Sequence, residues 1–464
     1  MFGITDVIAA VSTPPGKGGV AVIRVSGEGA YDIVKKIFRP IGKDFDSLPP
    51  RYAGYGYIVD PEINTEIDDV LITKFPSPNS YTGEETVEIS CHGGILVTRS
   101  ILELLLINGA RHAAPGEFTR RAFLNGKLSL TEAEAIGMLL SAESSAQLRL
   151  SSGSSRARLE KRISKIRNEL VSVLSSVFAR IDYPDEDLGD FSDEELYEKL
   201  KSVQEDLSSL MSTYKTGRAV NEGIPTVIAG KPNVGKSTLY NLLVGEEAAI
   251  VTDIPGTTRD VLSSGISLGS VMLRLADTAG IRSGNLDLVE QIGIEKSEKM
   301  LSECELLFAV FDISRIFDEE DELLISKINA SNAKKIAILN KADKEPLFDT
   351  SRLDGCFEKV ITVSAKASED KLINELRAAV EELFIDGETK IGEDAIIASA
   401  RQNAALERGF ESLNVALTSL SLGFMQDAVA GDIERALGAI SELDGRAVSE
   451  EVVADIFSKF CVGK

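Results

Sequence analysis

The stretch Gly230-Lys231-Pro232-Asn233-Val234-Gly235-Lys236-Ser237 narrows what this chain can fold into more than any other. It fits G-x-x-x-x-G-K-[ST], in which backbone amides wrap phosphates, the lysine reaches the β/γ-phosphates and the hydroxyl takes a place on Mg²⁺. The pattern has meaning only between a strand and a helix. Residues 225–229 (PTVIA) read as a short buried strand, and Ser237, Thr238 and the apolar residues to Leu243 read as a helix whose N-terminal dipole faces an anion. Four further motifs follow in order, each after a strand-like run: Gly256-Thr257-Thr258-Arg259-Asp260, Asp277-Thr278-Ala279-Gly280, Asn340-Lys341-Ala342-Asp343 and Ser364-Ala365-Lys366.

Around these motifs strands and helices alternate. Runs at 271–276, 306–311, 335–339 and 360–363 predict buried strands, and residues 288–301, 319–328 and 369–383 predict helices between them. This is the pattern of a doubly wound, Ras-like P-loop domain with its motifs on the loops after strands. The segment before residue 125 is different. Runs at 20–25, 70–75 and 86–90, with helical spacing from Gly94 to Gly109, predict an α+β domain. Its glycine-rich turns at 14–19 and 92–94 bring backbone close to a ligand or to another strand. From Leu128 the texture becomes helical: 130–150, 154–181, and a helix reaching about Tyr214 that starts at the capping box Ser192-Asp193-Glu194-Glu195. Helical spacing resumes at 393–422 and 424–460. The expected organisation is a multidomain α/β chain: an α+β domain at 1–125, a helical bundle at 126–219 and 389–464, and the nucleotide domain inserted at 220–388.

Charge and cysteine usage exclude several classes. The net charge of −23 opposes strong non-specific binding to nucleic acid. A nucleic-acid partner then needs a local basic patch or a second protein that supplies the positive surface. Cys91, Cys304, Cys356 and Cys461 lie far apart, and His92 and His112 are the only histidines, which argues against a disulfide framework or a zinc site. No apolar run is long enough to span a bilayer, and no signal-peptide pattern opens the chain. The expectation is a cytoplasmic protein without a membrane partner.

The carboxylate of Asp343 suits the N1–H and exocyclic amine of guanine, whereas adenine offers the reverse pattern, so the motifs predict GTP over ATP. Lys236 is expected on the β/γ-phosphates. Ser237 and one threonine of Thr257-Thr258 are expected on Mg²⁺, with Asp277 behind the metal. Residue 281 is Ile, which cannot orient an attacking water. Asp287, Glu290 and Glu295 are the nearby acidic candidates for that task.

Gly116-Glu117-Phe118-Thr119, Arg121 to Lys127 (RAFLNGK) and the terminus Phe460-Cys461-Val462-Gly463-Lys464, together with the five nucleotide motifs, resemble the bacterial tRNA modification GTPase family known as MnmE or TrmE. The resemblance runs along nearly the whole chain. It implies a GTP-hydrolysing subunit that adds a carboxymethylaminomethyl-type group to C5 of the wobble uridine of certain tRNAs, and that works with a flavin-dependent partner protein. It implies an N-terminal domain that dimerises and binds 5,10-methylenetetrahydrofolate (5-formyltetrahydrofolate as analogue) through Arg24, Glu88, Lys127 and Lys464. It also implies a K⁺ ion held by Asn233, Thr252, Ile254 and Thr257, which leaves Thr258 with Ser237 for Mg²⁺. A cation there offsets transition-state charge much as an arginine finger does. Glu290 matches the water-positioning residue, and Glu290, Asn233 and Cys461 are the implied catalytic residues. The nucleotide contacts implied are Asn233 to Thr238, Thr252 and Asp253-Ile254-Pro255-Gly256 through Thr258, Asp277 to Gly280, Asn340, Lys341, Asp343, and Ser364 to Lys366.

Two other classes compete with this reading. A ribosome-associated or signalling switch is disfavoured by the folate-site matches and the terminal Cys-Val-Gly-Lys. A folate-binding module with a vestigial nucleotide domain is disfavoured by the complete set of five motifs.

Overall fold

The computed structural model describes residues 6–182, 192–246, 265–275, 302–365 and 369–463. It gathers them into two compact units, Met1–Gly137 with Ser441–Lys464, and Met138–Ile440. Among the described residues no helix is long and apolar enough to cross a membrane.

The first unit is built on a seven-stranded sheet of order β3-β4-β5-β6-β2-β1-β7. Its strands are β1 (Ile8–Val11), β2 (Ala21–Ser26), β3 (Phe38–Pro40), β4 (Ala53–Asp60), β5 (Thr65–Phe75), β6 (Thr86–Cys91) and β7 (Arg111–His112). Side chains alternate between the two faces. Ile23, Val25, Val87 and Ile89 enter one core with helices Ala30–Ile37 and Ile95–Ile107. Arg24 and Glu88, which stand between them, therefore face the other side, opposite each other in the antiparallel β2–β6 register. That side carries Phe118, on helix Glu117–Leu124, packed with Ile8, Ala10 and Tyr81. The C-terminal helix Glu450–Ser458 closes this unit, with Phe457 packed beside Leu130, Ala133 and Phe123.

In the second unit a six-stranded sheet has the order β13-β12-β11-β8-β10-β9. Its strands are β8 (Ile224–Ala229), β9 (Gly265–Leu268), β10 (Val271–Leu275), β11 (Leu306–Asp312), β12 (Lys334–Asn340) and β13 (Lys359–Thr362). Five strands are parallel, and the edge strand β9 pairs antiparallel with β10. β11 is buried at every position, as a central parallel strand covered on both faces must be. The architecture is the expected mixed α/β one. β9 was not anticipated, because a four-residue antiparallel partner across a tight turn leaves little periodic signal.

Several helical runs are shorter than their apolar spacing predicts. The run 130–150 divides into Leu130–Leu140 and Ser145–Leu150, because Ser144 and Gln147 form a capping box that starts a new helix. The run 393–422 is helical only from Ala400. Before it, Ala395–Ala398 is a buried non-helical strap whose Ile397 N–H donates to Thr213 Oγ1 at 3.1 Å and whose Ala398 carbonyl accepts from Asn221 at 3.2 Å. Gly217 lets the strap pass, since a Cβ there would lie 2.0 Å from the Ile397 carbonyl. The run 424–460 breaks at Gly445, whose φ of +89° lies in the left-handed region. The capping box at Ser192 and Glu195 forms as expected. The expected helix at 288–301 lies outside the described residues.

Candidate nucleotide-binding site

β8 delivers the chain to the phosphate loop, and helix Lys236–Glu246 leaves it, so the loop amides and the helix N-terminus converge on one space. Asn233 takes φ +62° and Gly235 takes φ +114° to make that turn. A Cβ on Gly235 would sit 2.0 Å from Asn340 Nδ2, and one on Gly230 would sit 2.5 Å from the Val310 carbonyl. Glycine at these positions is thus what allows the phosphate loop to nest against β11 and the end of β12. Lys236 Nζ donates to the carbonyls of Gly230 (2.7 Å) and Lys231 (2.8 Å). Burial pulls this ammonium below its ordinary pKa.

A cavity of about 440 Å³ opens here, within the size range of small-molecule sites. It is lined by Asn233, Gly235, Lys236, Ser237 and Thr238 from one side and by Asn340, Lys341, Asp343, Lys344, Ser364 and Ala365 from the other. Val234 lies beneath it, buried, and its carbonyl accepts from Asn340 Nδ2 at 2.8 Å. Asn340 Oδ1 accepts from the Ala365 amide at 2.9 Å and from the Lys341 amide at 2.8 Å. One amide side chain thereby fixes three loops from β8, β12 and β13. Asp343 is exposed to the cavity, and the Ser364 hydroxyl holds its carboxyl below the ordinary range, so it is a carboxylate at neutral pH. Such an acceptor suits two neighbouring donors on a purine edge.

Lys341 takes φ +66°, and its Nζ bridges the Asn233 carbonyl (2.9 Å) and Asp312 Oδ2 (2.6 Å). Burial works to raise the Asp312 pKa, but hydrogen bonds from Lys341 and Ser314 outweigh it and leave the carboxyl below its ordinary value. Sequence reasoning missed Asp312 and Lys344. The available signal was position: Asp312 ends the apolar run of β11, at the carboxyl edge where ligands of such sheets bind.

The residues present fit a nucleotide with Mg²⁺. The loop forms a cradle that a Cβ would fill, a half-buried ammonium faces it, and Ser237 brings a hard oxygen donor to the cavity wall. Of the expected K⁺ set, Asn233 lines the cavity. Thr252, Asp253, Ile254, Pro255, Gly256, Thr257, Thr258, Asp277, Thr278, Ala279, Gly280, Glu290 and Lys366 lie outside the described residues, as do Asp287 and Glu295.

The first unit brings together a second polar group. Arg24 Nη2 meets Glu88 Oε1 at 2.7 Å, and its guanidinium lies 5.2 Å from the Tyr81 ring and 5.6 Å from the Phe118 ring. Lys127 Nζ donates to the Pro78 carbonyl at 3.0 Å, on the loop that carries Tyr81. Cys461 is exposed, and its carbonyl accepts from the amide of Gly116, which precedes the helix that bears Phe118. Ser12 Oγ donates to the Gly463 carbonyl at 3.0 Å. Lys464 lies outside the described residues.

Comparison with known proteins gives the family. Residues 7–127 match the family described as GTP-binding protein TrmE N-terminus, and residues 130–461 match the MnmE helical domain. A tRNA modification GTPase MnmE of Carboxydothermus hydrogenoformans is 40% identical over 463 residues, covering 99% of each chain. Proteins of the same name from Natranaerobius thermophilus and Acetivibrio thermocellus are 39% and 38% identical over 459 residues, again covering 99% of each chain. Matches of this length and identity show the family: the chain belongs to the tRNA modification GTPase MnmE family.

Proposed function

We propose that this chain is the GTP-hydrolysing subunit of a cytoplasmic complex that modifies C5 of the wobble uridine in certain tRNAs. The observation that carries the reading is the single cavity in which Lys236 and Ser237 of the phosphate loop face Asp343 of the base-recognition loop. Asp343 selects guanine, the loop amides and Lys236 hold the phosphates, and Ser237 and Thr258 hold Mg²⁺. Asn233, Thr252, Ile254 and Thr257 hold K⁺, which when bound offsets the charge that develops on the phosphates. Glu290 orients the attacking water, because Ile281 cannot. The N-terminal domain pairs with a second copy and binds a tetrahydrofolate one-carbon donor through Arg24, Glu88, Lys127 and Lys464. Arg24 and Lys127 suit the glutamate tail, and Glu88 suits the donor edge of the pterin. A flavin-dependent partner completes the modification site, to which Cys461 contributes. Hydrolysis to GDP drives the nucleotide domains between open and closed arrangements. The domain division that goes with this reading is 1–125, 126–219 with 389–464, and 220–388.

Steady-state GTP turnover in equal KCl and NaCl tests the nucleotide half of the reading. Wild type should turn over faster in KCl, Asn233→Ala should lose that advantage, and Glu290→Ala should be slow while still binding GTP. Equal rates in both salts, with Arg259→Ala the inactive variant, would transfer the charge-stabilising role from the ion to Arg259.

A further inference from the structure

Holding tRNA is a problem for a chain of net charge −23. Affinity for nucleic acid comes mainly from Lys and Arg against phosphates, and in physiological salt a charge is felt over only about 8 Å. Local charge therefore decides where a polyanion can dock. Between Arg149 and Arg167 the chain carries seven Lys or Arg and a single acid, Glu160. Four of them, Arg158, Lys161, Arg162 and Lys165, stand at i, i+3, i+4 and i+7 on helix Gly153–Asp182 and share one stripe roughly 10 Å long. Leu159, Ile163, Ile166 and Leu170 take the helix's buried positions. Arg149 extends the stripe: Arg158 Nη2 donates to the Gly392 carbonyl, and the Arg149 Cβ lies 3.3 Å from where a Cβ on Gly392 would stand.

Among the described residues, two acids form ion pairs with these cations. Asp206 lies 2.8 Å from Lys165 and 4.0 Å from Arg162, and Glu169 lies 3.7 Å from Lys165. Arg149 and Lys161 are exposed and enter no ion pair with the described residues. None of the five lines the nucleotide cavity.

We propose that Arg149, Arg158, Lys161, Arg162 and Lys165 form the surface on which the phosphate backbone of the tRNA docks. The inference rests on the tRNA reading above. The acidic remainder of the surface repels the polyanion and steers it to this stripe, and contacts of this kind position an RNA without reading its sequence.

The test is fluorescence anisotropy of a labelled, unmodified tRNA transcript with the full chain over a KCl series. The triple variant Arg149→Ala/Lys161→Ala/Lys165→Ala should bind roughly tenfold more weakly, with a log–log salt slope shallower by about two, since each phosphate contact contributes about 0.7–0.9. Asp206→Asn, which releases Lys165 and Arg162, should bind more tightly than wild type. GTP turnover without tRNA should be unchanged in both. Equal affinity and slope across the variants, or no measurable affinity of the wild type, would overturn the docking surface. Restoration of wobble-uridine modification by the wild-type gene in cells lacking it is measured alongside. If it succeeds while the variants bind as wild type does, the surface is wrong and the tRNA reading stands; if it fails, the tRNA reading itself falls.

Discussion

The side chain of Asn340 donates a 2.8 Å hydrogen bond to the carbonyl of Val234, so the base-recognition loop holds the phosphate loop in place. The two walls of the cavity are thus tied together by one side chain. Asn340→Ala strips buried partners from the Val234 carbonyl and from the amides of Lys341 and Ala365. The expected cost is about 1–3 kcal/mol, roughly five- to 150-fold in GDP affinity. Titration of a fluorescent GDP analogue measures it, and unchanged affinity would show that the tie is incidental.

Guanine selectivity is expected to reside in Asp343. Asp343→Asn places one amide hydrogen against a guanine donor and should weaken GTP by roughly a hundredfold or more. The same change creates a donor–acceptor pair that matches xanthine. Competition of GTP, ATP and XTP against labelled GDP should therefore show XTP overtaking GTP in the variant. Retained GTP preference would remove Asp343 from the recognition role.

The Lys341–Asp312 pair gives the nucleotide domain a defined pH response. The folded pKa of Asp312 lies below its ordinary value of 3.8. Its contribution is therefore fully present above about pH 4 and is lost as pH falls through the folded value. Asp312→Asn should lower the thermal transition of this unit at pH 7 by roughly 2–4 °C, and the gap from wild type should close on acidification below pH 4. A gap that stays constant with pH would mean that the pair's charge is not what stabilises the loop.

The two faces of the N-terminal sheet lead to a ligand prediction. Titration of 5-formyltetrahydrofolate into the full chain should give saturable binding, weakened about tenfold or more by Arg24→Ala and by Glu88→Gln. The full chain is needed because residues 441–464 pack with this unit. No heat or fluorescence change at millimolar ligand would exclude Arg24 and Glu88 as folate contacts.

How much of this was legible in the sequence varied with the physics of each element. The phosphate loop, β8, β11 and β12 carry strong local signals, because glycine geometry and continuous apolar runs need no knowledge of neighbours. The capping box at Ser192 was equally readable. Asp312 was not: an aspartate at a strand end looks like any solvated turn residue until Lys341 is folded onto it. The strap at 395–398 was hidden for a similar reason, since its apolar residues suit a helix, and the partners Thr213 and Asn221 that hold it as extended chain are far away in sequence. Arg24 and Glu88 could be matched one by one to a motif. Their pairing across β2 and β6 emerges only from the register.

The central claim, that this nucleotide site serves tRNA modification, is tested most directly by nucleoside analysis of tRNA from cells lacking the gene and complemented with wild type or Asp343→Asn. Wild type is expected to restore the modified wobble uridine, and Asp343→Asn to leave it unmodified at equal protein levels. Full modification in the uncomplemented cells, or equal restoration by the variant, would contradict the claim.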